Sequence, residues 1–427
     1  MAKSLFEAYK NRLAVADAVY GKAHNGEVMS NNRRLVTAKV LENTNRFLNE
    51  AFEQSVGTQR SDMGLYKKFA LNLTTVALPN LIAHDLVIVH PMSSMSGYIT
   101  YIQYQYASNK GATKIGDRIS DPFGFGKVDA DFTGSRVVET LTEGMSKVAW
   151  GPVVEGTGKF LNDKNEEIAG GVFNADGTFT APEGATKIAY VYDNVVVPQN
   201  DLPMIKAEMK NISLVAKARR IAIYYSQIAA FQAKTDYGVD LGDQLAEKAV
   251  GELSYEIDVE VTNLLSKMAG EADAELVWSK TVPVGISKAE HYEGFTEVIE
   301  IAKQKIYDRT QKFAPNYAIV ASNLLPVISV CKGWHAAPTG AINGPYFAGT
   351  LNGLKIFVTP NIEAGRFVIG VNGNDMMSSA AVYAPYMAVV PTQLLGYADG
   401  GMSQGWSTMY ALEELNRSLL IAGKLEA

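Results

Sequence analysis

The sequence predicts an α+β protein, and three observations carry that expectation. Residues 241–270 read as one long amphipathic helix, with Leu245, Ala249, Leu253, Ile257, Leu264 and Met268 on a single apolar stripe. Residues 98–107, YITYIQYQYA, alternate as a half-buried strand does. After residue 313, short apolar runs of strand type follow one another with turns between them.

Taken in order, residues 3–21 form an amphipathic helix with Leu5, Tyr9, Leu13, Ala16 and Tyr20 near one face, and Asn25-Gly26 punctuates. A second helix covers 32–55 and carries Leu35, Val40, Leu41, Phe47 and Phe52. These two helices look separable from the body, as either a cap on a domain or an arm that reaches a neighbour. Residues 64–80 read as helix and stop at Leu78, because Pro79 disfavours helix at the residue before it. Strands follow at 86–90 and 98–107, with a turn at 93–97 between them.

From 108 to 143 Gly, Lys, Asp and Ser dominate, with DPFGFG at 121–126. A loop this long is usually functional or disordered. Its GFG is no dinucleotide fingerprint, since no strand leads into it and no suitable helix follows. Residues 150–192 read as a small β insertion. Asn174-Ala175-Asp176-Gly177 is a hairpin signal, and NDKNEE at 162–167 is a second turn. The oxygen-rich side chains of that second turn lack EF-hand spacing. A strand at 188–193 closes the insertion.

Residues 205–226 are an extended strip feeding the long helix. Asp243 takes the N-cap position of that helix and Gly270 the C′ position. At about 1.5 Å per residue the helix runs roughly 40 Å, the length of a spine laid against a sheet. Helix is expected again at 292–313, a buried strand at 316–321 and a short helix at 322–330. Strands are expected at 354–358, 367–371, 380–384, 387–390 and 406–411, before a helical tail.

The chain has 427 residues and is 47% hydrophobic, enough to bury a large core without disulfides or metal. Length alone suggests about two or three domains. The net charge of −6 and the absence of a Lys/Arg block argue against a surface that grips nucleic acid. Cys331 is the only cysteine, so no internal disulfide forms, as suits a reducing cytoplasm. No signal-type apolar run opens the chain and no stretch is long enough to span a bilayer. Five histidines occur, none in HExxH and no pair with a third ligand at metal spacing. There is no GxSxG elbow and no P-loop. No catalytic residue, cofactor site or metal site is assigned.

Several stretches resemble the T-even-type tailed-phage major capsid proteins. Pro79, Asn80, Leu81, Ile82 and Ala83, then Pro91, Met92 and Gly97 ahead of the aromatic strand, are similar to the start of that family's core. Residues 204–226 resemble its strands before the spine helix, and YAPYMAVVPT at 383–392 its late strand. Gly405, Trp406, Thr408 and Tyr410 fall where it has a Gly-aromatic-x-Thr-x-Tyr strand, and residues 38–52 are similar to its N-terminal helical segment. Together these span residues 34–411 in order.

The resemblance implies an HK97-like fold with these parts: an N-terminal arm at 1–60, a peripheral domain at 61–107 and 194–270, an extended loop at 108–150, the insertion at 151–193, an axial domain at 271–394 and a C-terminal strand and tail at 395–427. It implies a major capsid protein that assembles with itself into hexamers, with pentamers an open option, as an icosahedral shell around double-stranded DNA. That shell is a virion component put together in the host cytoplasm. Vertex, portal, scaffold or decoration proteins and a maturation protease are the further partners it suggests; a membrane is not among them. Intersubunit contacts are expected at Phe123 and Phe125 on the loop and at Phe6 and Leu13 on the arm. Arg219-Arg220 either bridge subunits or form a solvated face. Leu48-Asn49-Glu50 before Ala51 fits the family's cleavage context, which makes a cut after Glu50 an option. The insertion either touches a neighbour or docks a decoration protein. The rivals are a cellular compartment shell of the same fold, a decoration or tail protein, and a cytoplasmic enzyme without a recognised motif.

Overall fold

The structure is a computed structural model that describes residues 2–23, 27–53, 71, 74–75, 80–111, 113–121, 124–125, 129, 131–142, 144–193, 195, 202–236, 238, 241–337, 344–373, 378–392, 394–398 and 400–426. The chain forms two compact units, Met1–Ile99 with Ile212–Ala427, and Thr100–Asn211. The α+β expectation holds for the first unit, whereas the described residues of the second carry strands and no helix.

The first unit contains a seven-stranded sheet. Its strand order is Val277–Ser279, Leu420–Glu426, Arg366–Gly370, Tyr317–Ala321, Leu354–Thr359, Tyr346–Leu351 and Trp334–Ala336. Tyr317–Ala321 is central and every one of its residues is buried. A strand covered on both faces reads as an unbroken apolar run, as YAIVA does. Helix Phe295–Thr310 supplies Val298, Ile299, Ala302 and Ile306 to the same core.

The second sheet of this unit orders Ile88–Val89, Ala381–Pro391, Gly401–Glu414 and Lys217–Ser226, with Leu395–Gly396 paired to the third of these strands. Ile221 lies opposite Trp406, and Val390 opposite Ser407. Alternation along a strand puts those two pairs on opposite faces. Ile221, Ile223, Val389 and Trp406 meet the first half of the spine helix, Leu241–Met268. Met387, Val390 and Met409 meet Phe47 and Leu48 of the helix Asn31–Glu53. The sheet is therefore the middle layer of three. The spine helix also links two cores, because its second half, from Ile257 to Met268, packs in the core of the seven-stranded sheet.

Several expectations are corrected here. The buried row of the spine helix is Ala246, Ala249, Val250, Leu253, Ile257, Val261, Leu265 and Met268; Leu245 and Leu264 sit half-buried beside it. A 3.6-residue period keeps Val261 and Leu265 under Ile257, where the expected stripe jumped to Leu264. The helix begins at Leu241, so position 243 lies in its first turn and is no N-cap. Gly270 does close it in the left-handed conformation, at φ 72°.

Leu86 ends the short helix Ala83–Leu86 and does not open a strand, and only Ile88–Val89 of the stretch pair as one. Residues 205–226 form two strands, Ile205–Val215 and Lys217–Ser226, followed by a helix, Gln227–Asp236. The two runs expected at 380–390 are one strand with irregular register beside Pro385. The tail is a strand, Leu420–Glu426, because LIAGKLE fills the slot between Arg366–Gly370 and Val277–Ser279. The helix expected at 64–80 lies mostly outside the described residues.

In the second unit, Arg136–Thr140, Lys187–Val191, Lys159–Leu161 and Glu167–Ile168 make a four-stranded sheet over Val137, Trp150, Phe160, Phe179, Ile188 and Tyr192. The Asp-Gly hairpin forms as expected between Val172–Phe173 and Phe179–Thr180, with Gly177 at φ 82°. The stretch expected to be irregular at 108–143 carries strands at Arg118–Asp121, Gly124–Phe125 and Arg136–Thr140. Its loop-like composition reflects turns between short strands, and Arg136–Thr140 pairs with Lys187–Val191.

Candidate assembly surfaces

Among the described residues no three His, Cys, Asp or Glu side chains are placed to hold a metal ion. Cys331 is buried, its thiol directed at the carbonyl oxygens of Tyr292 and Val327. The polar chemistry of the chain instead fastens its layers together, and it is densest at three points.

The first point is the short helix Ala83–Leu86, which three elements of the first unit grip. Arg33 of the helix Asn31–Glu53 donates to Asp85 at 2.7 Å, and Lys355 of the seven-stranded sheet reaches the other oxygen at 3.4 Å. Burial pushes the Asp85 carboxyl up, but the facing Arg33 and Lys355 charges outweigh it and hold its pKa below the usual value. Asn372 donates to the Asp85 carbonyl at 2.9 Å. On the spine helix, the Asp258 carboxylate accepts from the Ala83 N–H at 3.3 Å. Asp258 is buried among apolar neighbours with Asp85 nearby, and its pKa is pushed up to about 7.

The second point lies on the spine helix. Arg219 ion-pairs there with Glu260 at 2.6 Å and Glu256 at 3.7 Å, and its guanidinium lies 5.6 Å from the centre of the Tyr410 ring. Tyr410 donates a hydrogen bond to Glu260. This cluster ties the spine helix to the strands on which Arg219 and Tyr410 sit.

The third point is Lys110 in the second unit, 2% exposed. Its ammonium donates to the carbonyl oxygens of Asp131 (3.1 Å), Phe132 (2.8 Å) and Gly134, and lies 5.0 Å from the Tyr192 ring centre and 5.7 Å from that of Trp150. Burial lowers its pKa. One amine thus pins the turn at 131–134 to the aromatic core of the unit.

The residues expected to contact neighbours fall as follows. Phe6 is half-buried, whereas Leu13 is 6% exposed and is occupied within its own chain. Arg219 is committed to Glu256 and Glu260, while Arg220 on the opposite strand face is exposed. Phe125 lies in the strand Gly124–Phe125, and Phe123 is outside the described residues. Glu50 is exposed in the last turns of its helix, with Arg46 at 4.0 Å. The helix that carries it is not separable from the body. Val36 and Val40 belong to the main core, and Asn43 donates to the carbonyls of Met92 (2.6 Å) and Tyr386 (2.9 Å). Sequence reasoning missed Asp258, although a carboxylate between Ile257 and Val261 on an apolar stripe is a signal in itself.

Residues 64–419 match the family model described as major capsid protein Gp23. With the α+β layers above, that match defines an HK97-like capsid protein of the tailed phages. More particularly, the chain belongs to the major capsid protein Gp23 family, and so is a structural component of the virion shell. It is 21% identical to the major capsid protein of Enterobacteria phage T4 over 90% of this chain and 87% of that one. Against the major capsid protein of Vibrio phage KVP40 it is 24% identical over 41% of this chain and 38% of that one. Among solved structures it is similar to one from Microbacterium phage Oxtober96, with a TM-score of 0.41, 12% identity and coverage of 81% and 91%. The capsid of Myoviridae phage XM1 gives a TM-score of 0.36, 8% identity and coverage of 53% and 80%.

Proposed function

We propose that copies of this chain form hexameric capsomers, with pentamers an open option, that close into an icosahedral head around double-stranded DNA. The family match over residues 64–419 carries this reading. The internal architecture supports it, because its polar networks join layers of the fold. Each subunit would bury more than a standard interface of about 1,600 Å² across several neighbours, so modest contacts sum to a stable shell. The net charge of −6 would let the packed genome move without adhering. Electron microscopy of the purified protein tests the reading: rings, shells or polymers are expected, and a lone compact particle at every concentration overturns it.

Within that function, residues 61–107 and 194–270 serve as the peripheral domain and 271–394 as the axial domain. Residues 108–150 serve as the extended loop over a neighbour, and the insertion at 151–193 as a neighbour or decoration contact. Residues 395–427 supply the C-terminal strands. Phe123, Phe125, Phe6 and Arg220 are the contact residues this assigns. Portal, vertex, scaffold and decoration proteins are further proposed partners. The N-terminal segment 1–60 is the arm, and a maturation protease cutting after Glu50 is part of the proposal. Because Glu50 is helical, the last turns of its helix would have to unwind to be cut. Mass spectrometry of mature particles decides the point: a new N-terminus at Ala51 is expected, and an intact segment 1–50 ends the idea.

A further inference from the structure

Helix Gln227–Asp236 is ten residues long and has no buried residue. A helix this short is not stable by propensity alone and needs packing. Its large side chains, Ile228 and Phe231, are about 70% exposed. Around them lie four more exposed apolar residues from the adjoining strand ends: Tyr224, Leu394, Leu395 and Tyr397. Their neighbourhood is set by the backbone. The Gln227 N–H donates to the Gly400 carbonyl at 3.0 Å, and Leu395 and Tyr224 both lie beside Ser403 in the sheet register. The Tyr224 and Tyr397 rings are 6.0 Å apart. A Cβ at Gly401 would collide with the Tyr224 ring, so a glycine is needed for the tyrosine to lie flat there.

Together the six side chains expose on the order of 700 Å², above the ~300–600 Å² of the largest patch on a typical monomer. It is close to the roughly 800 Å² that each partner gives a standard interface. Elsewhere in this unit Val15, Val277, Tyr307 and Val330 are exposed on separate elements, and Met95, Tyr98 and Val215 form a smaller exposed group where the Ala216 N–H donates to the Met95 carbonyl. An apolar face of this size needs an apolar face opposite it, and a second copy of the same patch matches it in area. Copies within a ring meet head-to-tail, but a closed icosahedral shell also has two-fold positions, where the same patch of two copies meets.

We propose that this patch is a homotypic contact, in which the helix Gln227–Asp236 of one copy packs against the same helix of a second copy, with Ile228 and Phe231 at its centre. The proposal rests on the shell reading above and goes beyond it by naming the surface.

Cysteine cross-linking tests it in assembled particles of the full chain. In a Cys331→Ala background, Phe231→Cys, Ile228→Cys and Leu395→Cys are introduced singly and in pairs, then oxidised. Disulfide-linked subunits are expected from at least one of these positions. Particles that assemble but never cross-link through them overturn the contact and leave the shell reading intact. A link formed only with Met209→Cys, on the exposed strand Ile205–Val215, also overturns it, because a neighbour's ribbon would then be the occupant. As a second measurement, Phe231→Asp should cut particle yield at least tenfold with the melting temperature unchanged. Wild-type yield from that variant refutes the proposal.

Discussion

Asp258 is a carboxylate held in an apolar layer, and its titration should be readable in stability. Its folded pKa, about 7, lies above the ordinary value of 3.8. Between those limits the folded chain holds a proton that the unfolded chain has lost, so folding is favoured most at the acid end. The contribution therefore declines as pH rises from about 4 to about 7, by up to ~1.4 kcal/mol per pH unit, and is flat above that. Asp85 on the short helix and Tyr383 on the adjacent strand are the groups that face it. Asp258→Asn keeps an acceptor for Ala83 and removes the titration. The stability of the wild type relative to the variant, measured by urea unfolding from pH 5 to pH 8, should fall as pH rises and level off near 7. A difference that does not change with pH contradicts this assignment. At Lys110 a methionine of similar length would leave the carbonyls of Asp131, Phe132 and Gly134 without their donor. The expected cost is ~2–4 kcal/mol, seen first as faster amide exchange at residues 131–140.

At the scale of elements, the helix Asn31–Glu53 behaves as a layer of the fold. It covers Met387, Val390 and Met409, places Val36 and Val40 in the main core and pairs Arg33 with Asp85. Deleting residues 1–50 from the isolated subunit should therefore lower stability by several kcal/mol, at about 1.5–3 kcal/mol for each large apolar side chain no longer buried. An unchanged urea midpoint for the truncated chain would show that this packing contributes nothing. Any cut after Glu50 then belongs after neighbours are in place to cover the sheet. Helix existence was legible here from periodicity in 32–55, but the partner was not, since Leu48 meets Val390 across more than three hundred residues of chain. The tail shows the same limit. LIAGKLE has no pattern that separates a buried strand from a buried helix, and the vacant place between Arg366–Gly370 and Val277–Ser279 decides for the strand.

For the whole molecule, the net charge of −6 means that copies repel as they approach, while the helix 227–236 patch attracts without charge. Raising ionic strength from ~0.05 M to ~0.5 M shortens the Debye length severalfold and should raise particle yield. Light scattering across that range checks it. A yield that falls with salt would mean that intersubunit ion pairs, with Arg220 the first candidate, dominate assembly. Arg219 should matter differently: its charge is met by Glu256 and Glu260 within the chain, so Arg219→Ala should lower the melting temperature of the subunit itself.

The sequence by itself determined the α+β class, the spine helix and its Gly270 end, the Asp-Gly hairpin at 174–177, and the motifs that mark the capsid family. Each of these is written in residues close together along the chain, where backbone periodicity and turn chemistry act directly. Only the tertiary structure decided which spine residues are buried, that the N-terminal helix closes a three-layer stack, that the tail is a strand, and that Asp258 is a buried acid. Those outcomes depend on which distant surfaces meet, and a local pattern does not encode its partner.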